Sequence, residues 1–250
     1  MALSNERFYR YPTDASSLKS FQVVVAETDV FVYAKSELIQ ETYESIMTCR
    51  GYIESYIHQF PNFSTSLSPW RTIGPAPEII RQMIHAGQNA GVGPMASVAG
   101  AIAEWVGNDL LQFSDEIIVE NGGDVFIHRK APFVVGIYAG QSPFSQRIGI
   151  RVMPSDESLS ICTSSGRIGH SLSLGMADAV TIRSKSAALA DAAATATGNR
   201  VKSPKDISHA IAFAKNIEGV EGVLVLVGDA MGAWGDMEIV PIHNKHKMNA

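Results

Sequence analysis

The stretch Ala177-Asp-Ala-Val-Thr-Ile-Arg-Ser-Lys-Ser186-Ala-Ala-Leu-Ala-Asp191-Ala-Ala-Ala-Thr195-Ala-Thr197 joins a strand-like run to an almost pure alanine helix. Alanine is the best helix former, and an alanine face lets neighbouring backbone approach closely. One carboxylate, Asp191, stands inside that helix, with the hydroxyl of Thr195 four residues later on the same face. A buried carboxylate without a partner is costly. Oxygen ligands at i and i+4 suit a hard cation such as Mg²⁺. The competing reading turns Asp191 to solvent and bonds Thr195 back to its own helix carbonyl.

Upstream, Phe21–Ala26 and Val30–Ala34 read as a hairpin around Glu27-Thr28-Asp29. Ser36 is a candidate N-cap for a helix carrying Ile39, Tyr43, Ile46 and Met47 and running past Gly51 toward His58. Residues 60–77 read as a loop, and Pro77 opens a helix with Ile79, Ile80, Met83 and Ile84 on one side. Gly91-Val-Gly-Pro94 leads into a small-residue helix, Met95–Val106. Strands are expected at Glu116–Val119, Val125–Ile127, Phe133–Tyr138, Ile148–Val152 and Leu159–Thr163. Beyond the alanine helix come a helix at Pro204–Ala214 and strands at Val223–Val227 and Met237–Val240. Strand pairs followed by helix pairs favour an α+β fold with antiparallel sheet over βαβ alternation. The block recurs on either side of about residue 115, which suggests two halves, residues 1–115 and 116–250.

At 250 residues, 46% hydrophobic and 18% charged, the chain is long and apolar enough to bury a substantial core. A net charge of −5, with no basic stripe, argues against nucleic-acid binding. Two distant cysteines, Cys49 and Cys162, form neither a disulfide framework nor a metal cluster. The N-terminal residues lack a signal-peptide core, and no run approaches the roughly 18 apolar residues of a membrane span. A cytoplasmic protein with no membrane partner is expected.

Asn121-Gly-Gly-Asp124 between two strands is a strong hairpin signal, with positive φ at the glycines. Its functional reading is close backbone approach to a ligand, with Asp124 bonding a hydroxyl or amide. Cys162-Thr-Ser-Ser-Gly166-Arg167-Ile-Gly-His170 gathers hydroxyls, an arginine and an imidazole. Such a loop is suited to phosphate, and His170 to acid–base work near neutral pH; the alternative is an ordinary Ser/Gly loop. Cys162 lies in an apolar strand pattern and reads as a buried small residue. The Gly91–Pro94 break gives its helix an N-terminus open to an anion, or simply close packing, and it fits neither nucleotide fingerprint.

Taken in order, these segments resemble the superfamily of ApbE, FAD-dependent flavin transferases once called thiamine-biosynthesis lipoproteins. Asn121-Gly-Gly-Asp124 looks like the family's N-x-G-G-D turn, and Thr163-Ser-Ser-Gly166 like its S-T-S-G segment. Ala179-Val-Thr-Ile and Ala190-Asp191-Ala-Ala-Ala-Thr195 look like its V-T-V…A-D-A-x-A-T signature. Val98-Ala-Gly100-Ala-Ile-Ala-Glu104 is more loosely similar to its K-G-Y-A-x-D helix. The chain looks closest to a shorter, uncharacterised prokaryotic branch.

The resemblance implies two related T-fold-like α+β halves with a flavin-nucleotide cleft between them. It implies Mg²⁺ held partly by Asp191 and Thr195, and FAD or FMN near Gly122, Gly123, Asp124, Thr163, Ser164, Ser165 and Gly166. Arg167 or His170 would face phosphate in catalysis. The departures are equally plain. The H-x-I-D-P-x-T-G run is reduced to His170, and the family's lysine, aromatic and aspartate are Ala99, Ala101 and Glu104. The secretion signal and lipid-attachment cysteine of the family are absent.

The expected function is metal-dependent chemistry on a flavin nucleotide or similar phosphorylated ligand, by FMN transfer or FAD pyrophosphate cleavage. The alternative is a flavin- or pterin-like binding protein that keeps the cleft without turnover. Small-residue helices, if exposed, would suit a homodimer.

Overall fold

A computed structural model of the chain describes residues 18–71, 74–165 and 175–242. Eleven strands and five α-helices are seen among these residues. The chain opens with β1 (Lys19–Val25) and β2 (Thr28–Ala34), then α1 (Ile39–Gln59), α2 (Glu78–Ala90) and α3 (Val98–Leu110). Next come β3 (Ile117–Asn121), β4 (Asp124–His128), β5 (Phe133–Gly136), β6 (Ile148–Val152), β7 (Leu159–Ser164) and β8 (Ala179–Ser184). The chain continues through α4 (Ala187–Gly198), α5 (Ile207–Lys215), β9 (Val220–Val227), β10 (Ala230–Gly235) and β11 (Glu238–Pro241).

Eight strands form one wholly antiparallel sheet in the order β1-β2-β3-β4-β7-β8-β9-β10. In chain order it is two runs of four, each a strand pair, a set of helices and a second strand pair. The runs meet where β4 pairs with β7, Asp124 opposite Cys162. A smaller antiparallel sheet, β11-β6-β5, is separate.

Side chains alternate across a strand, so each central strand feeds two cores. In β9, Val223 and Val225 belong to the core beneath the helices, whereas Leu224 and Leu226 belong to the core shared with the small sheet. The molecule is therefore layered: helices, large sheet, small sheet. Helix α4 packs against α2, α3, α5 and strands β7 and β8, and its alanines are buried all round. This overturns the idea that its small residues form an exposed interface.

Several local expectations shift. The first hairpin turns at Ala26-Glu27, with Ala26 at φ 51°, so β2 begins at Thr28. Helix α1 starts after Leu38 without a side-chain cap, leaving Ser36 outside it, and it does run past Gly51 to Gln59. Strand β10 was not anticipated, because Ala230-Met-Gly-Ala-Trp-Gly235 has no β-branched run. Its sheet-edge side chains alternate between half-buried and exposed.

Candidate functional site

The site is built on the contact between α3 and α4. Helix α3 passes so close to α4 that a Cβ at Gly100 would overlap the Ala187 carbonyl. Gly100 also faces Asp191, while Glu104, one turn on, faces the start of α4, so the helices run antiparallel.

Each helix supplies a carboxylate to the other's N-terminus. The first N–H groups of a helix have no partner within it and favour negative charge. Asp191 Oδ2 accepts from the Gly100 N–H at 3.0 Å, and the Ala99 N–H bonds the same carboxylate. Glu104 Oε2 accepts from the Ala187 N–H at 2.7 Å, the Ala188 N–H at 3.3 Å and Ser186 Oγ at 3.2 Å. Ser186 is itself the N-cap of α4, its Oγ accepting from the Leu189 N–H.

Asp191 thus neither faces open solvent nor stands alone. The anion-binding N-terminus expected after Gly91–Pro94 is filled from within the chain, by Asp191. Asn121 completes the arrangement by donating from Nδ2 to the Ala99 carbonyl at 3.0 Å. The peptide group between Ala99 and Gly100 is therefore held on its oxygen by Asn121 and on its nitrogen by Asp191.

Asn121 ends β3, and Asp124 begins β4 directly opposite it. Between them Gly122 (φ 68°) and Gly123 (φ 115°) make a two-residue turn, both in the positive-φ region that glycine adopts without strain. A Cβ at Gly122 would meet nothing within 4 Å, so the turn presents open backbone.

Asp124 is buried beside the Cys162 thiol, which donates to the Ala187 carbonyl at 3.4 Å, and beside the Thr163 N–H; both groups favour its charged form. Its Oδ1 is a buried oxygen with no hydrogen-bond partner. Burial, then the Asp191 charge, push its pKa well above the usual carboxylate range. Burial also raises Asp191, to about 7, against the opposing pull of the Gly100 and Ala99 N–H groups. Glu104 is raised by burial too, but its three donors resist the shift. Cys162 is pushed well above its ordinary value by burial and by both aspartates, so it remains a thiol.

Thr195 is buried on α4, its Oγ1 3.5 Å from Ser164 Oγ at the end of β7. It does not satisfy itself on its own helix. Thr163 points to the other face of the sheet, where its hydroxyl lies 2.9 Å from that of Thr181, so only its backbone joins the cluster. Ser165, partly buried, follows β7. Gly166, Arg167 and His170 lie outside the described residues.

The fold therefore brings Gly122, Gly123, Asp124, Ser164, Asp191 and Thr195 to one end of the β4–β7 seam beneath α3 and α4. Glu104 and Asn121 were missed as structural members of this cluster. The signal for Glu104 was there to read: it is an acid in a small-residue helix, as Asp191 is.

Among the described residues no group of three His, Cys, Asp or Glu side chains forms a ready-made metal cage. Two carboxylates with neighbouring hydroxyls are instead the sparse oxygen set that Mg²⁺ accepts when water and a ligand phosphate complete its shell. The unbonded Asp124 Oδ1 fits such an ion.

The family described as AbpE bacteria matches residues 12–227. The chain belongs to this family. A UPF0280 protein of Methanococcus aeolicus is 41% identical over 196 residues, covering 76% of this chain and 79% of the relative. Another, from Methanosarcina acetivorans, is 39% identical over 227 residues, covering 90% and 88%. Among solved structures, the apo form of the flavinyl transferase ApbE of Pseudomonas stutzeri superposes with a TM-score of 0.55. That pair is 14% identical, over 87% of this chain and 94% of the other. The ApbE protein of Thermotoga maritima gives 0.54 at 16% identity, over 86% and 96%. These likenesses establish an ApbE-like α+β fold. Among the described residues no helix is long and apolar enough to cross a membrane.

Proposed function

We propose that the cluster at the β4–β7 seam binds a divalent cation, Mg²⁺ by its oxygen chemistry, together with a phosphorylated, nucleotide-like ligand. The observation that carries this reading is the pair Asp124 and Asp191. They are two carboxylates in mutual electrostatic contact, one with a buried oxygen that no donor satisfies. Like charges in a desolvated site repel unless a proton or a cation lies between them.

Asp191 and Thr195 would hold the ion, with Asp124 on its other side and Ser164 beside Thr195. Bound there, the ion would neutralise charge on a phosphoryl group. The protein's own contribution is positional. The clamped Ala99–Gly100 peptide fixes Asp191, and the Gly122-Gly123 turn lets a ligand approach backbone. Arg167 is the candidate for phosphate contact and His170 for proton transfer.

The name of the Pseudomonas stutzeri structure, a flavinyl transferase, makes a flavin nucleotide the first ligand to try, with FMN transfer or FAD pyrophosphate cleavage as the reaction. A cytoplasmic setting fits that chemistry. The test is incubation of purified protein with FAD and Mg²⁺, with chromatography of products and mass spectrometry of Ser/Thr acceptors. Release of FMN and AMP, or a labelled acceptor, abolished by Asp191→Asn, is the expected result. No turnover and no metal-dependent flavin binding would refute it.

One observation favours a second reading, a flavin- or pterin-binding protein without turnover. Glu104 stands where the resembling family has an aspartate, and here its carboxylate is occupied by three donors of α4. Metal-dependent binding of intact FAD, with no product over many hours, would select this reading.

A further inference from the structure

Residues of both sheets line a cavity of about 400 Å³ at one margin of the molecule. Its floor is apolar. Ile127 near the end of β4, Val152 at the end of β6 and Leu159 at the start of β7 all belong to the core that the two sheets share. The candidate site lies at the other end of the same strands, where Asp124 begins β4 and Ser164 ends β7, toward the helices. The cavity is thus a separate place in the fold, of a size common to small-molecule sites.

Its rim is charged and balanced. Arg129, Arg183 and Lys185 supply three cations, and Glu157, Glu221 and Asp236 three carboxylates. Arg129 is only 4% exposed, so a guanidinium that keeps its charge stands in the wall of a largely apolar space. Its Nε is 3.7 Å from Glu116, which is not part of the lining. The Ser155 N–H donates to the Arg129 carbonyl at 3.2 Å, and the Glu157 N–H to Ser155 Oγ at 2.9 Å, so the turn carrying Glu157 is tied to Arg129. Lys185 pairs with Glu157 at the surface, their side chains 65% and 70% exposed. Such a pair contributes little as it stands. Arg183 is more deeply set and is held by both Glu221 and Asp236.

We propose that this cavity binds a small zwitterion with an apolar group, the chemistry of a free α-amino acid with an aliphatic or aromatic side chain. A ligand of one charge takes one member of an ion pair and leaves the other uncompensated, which is costly beside a desolvated wall. A zwitterion opens the Lys185–Glu157 pair and answers both members. Its carboxylate meets Lys185 and Arg129, and its ammonium meets Glu157. The Arg183 group stays closed as the fixed wall. The ligand's side chain lies on Ile127, Val152 and Leu159, where apolar burial supplies the affinity that an exchange of ion pairs does not. No residue of the proposed cation site takes part, so this inference stands independently of the proposed function.

The test is titration calorimetry of the full chain with L-leucine and L-phenylalanine, without Mg²⁺ or flavin. Both are expected to bind with Kd on the order of 10 μM to 1 mM. N-acetyl-leucine lacks the positive charge, leucinamide the negative one and glycine the apolar group. Each is expected to bind at least about tenfold more weakly than leucine. Glu157→Gln, at an exposed position, is expected to weaken leucine binding about tenfold and leave that of N-acetyl-leucine unchanged. Arg129→Gln is expected to weaken both, with circular dichroism reporting the fold; if this buried variant does not fold, Glu157→Gln decides. No binding of either amino acid up to about 10 mM, a single-charge analogue that binds as well as leucine, or leucine binding indifferent to Glu157→Gln would overturn the proposal.

Discussion

Asp191 and Glu104 occupy equivalent positions, each a half-buried or buried acid in a small-residue helix aimed at the N-terminus of the other. Their surroundings differ. Glu104 has three donors on one oxygen, so its burial is answered locally. Asp191 has two backbone donors, and a second buried acid, Asp124, lies within its field. The first arrangement is complete as folded. The second leaves an oxygen unsatisfied and two acids competing for one proton, and a site that stays incomplete within its own chain is where a ligand is to be sought.

The widest separation between the two acids is expected in cation binding. Asp191→Ala is expected to weaken Mn²⁺ or Mg²⁺ binding at least about 100-fold, roughly 2.7 kcal/mol, measured by titration calorimetry. Glu104→Ala is expected to change that affinity far less. Equal losses in the two variants would erase the distinction between cap and site.

Stability is expected to rank them the other way. Glu104→Ala strands the Ala187 and Ala188 N–H groups and is expected to cost about 2 kcal/mol by denaturant unfolding. Asp191→Ala also loses a cap but relieves repulsion on Asp124, so its loss is expected to be smaller.

The pH dependence sharpens this contrast. Asp191 holds its proton to about 7 when folded and to 3.8 ordinarily. Between those values the folded state binds more protons than the unfolded one, so this group makes stability fall as pH rises through the window and level off above it. Thermal unfolding of metal-free protein from pH 4 to 8 is expected to show that fall. Asp124→Asn is expected to reduce it, and Mg²⁺ to restore stability above pH 7. A metal-free protein whose stability rises over this range would contradict the pairing. The smallest effect is expected for Asn121→Ala, about 1 kcal/mol for one lost hydrogen bond, with a modest drop in cation affinity as the Ala99–Gly100 peptide loosens.

Much of this was legible in sequence because it is local. Alternating apolar residues around Asn121-Gly-Gly-Asp124 specify a hairpin, and the observed turn has both glycines at positive φ. The alanine helix and the Asp191/Thr195 face follow from 3.6-residue spacing. The partnerships are not local. Asp191 meets Gly100 across 91 residues, and Glu104 meets Ala187 across 83. No periodicity reports which helices will lie side by side, so caps supplied from another helix could not be told from metal ligands. Strand β10 escaped for another reason: at a sheet edge, pairing to β9 holds a sequence that has little strand propensity of its own.

The clamped peptide also gives the molecule an optical property. Trp105 follows Glu104 on α3 and stacks edge-on against Tyr52, ring centroids 5.8 Å apart, with its indole N–H buried and unbonded. A ligand that draws Asp191 away from Gly100 releases the first turn of α3, and that indole lies little more than one turn along the same rod. A change in emission that is lost in Trp105→Phe, with Trp70 and Trp234 kept, is expected to report what happens at Asp191 before any substrate has been named.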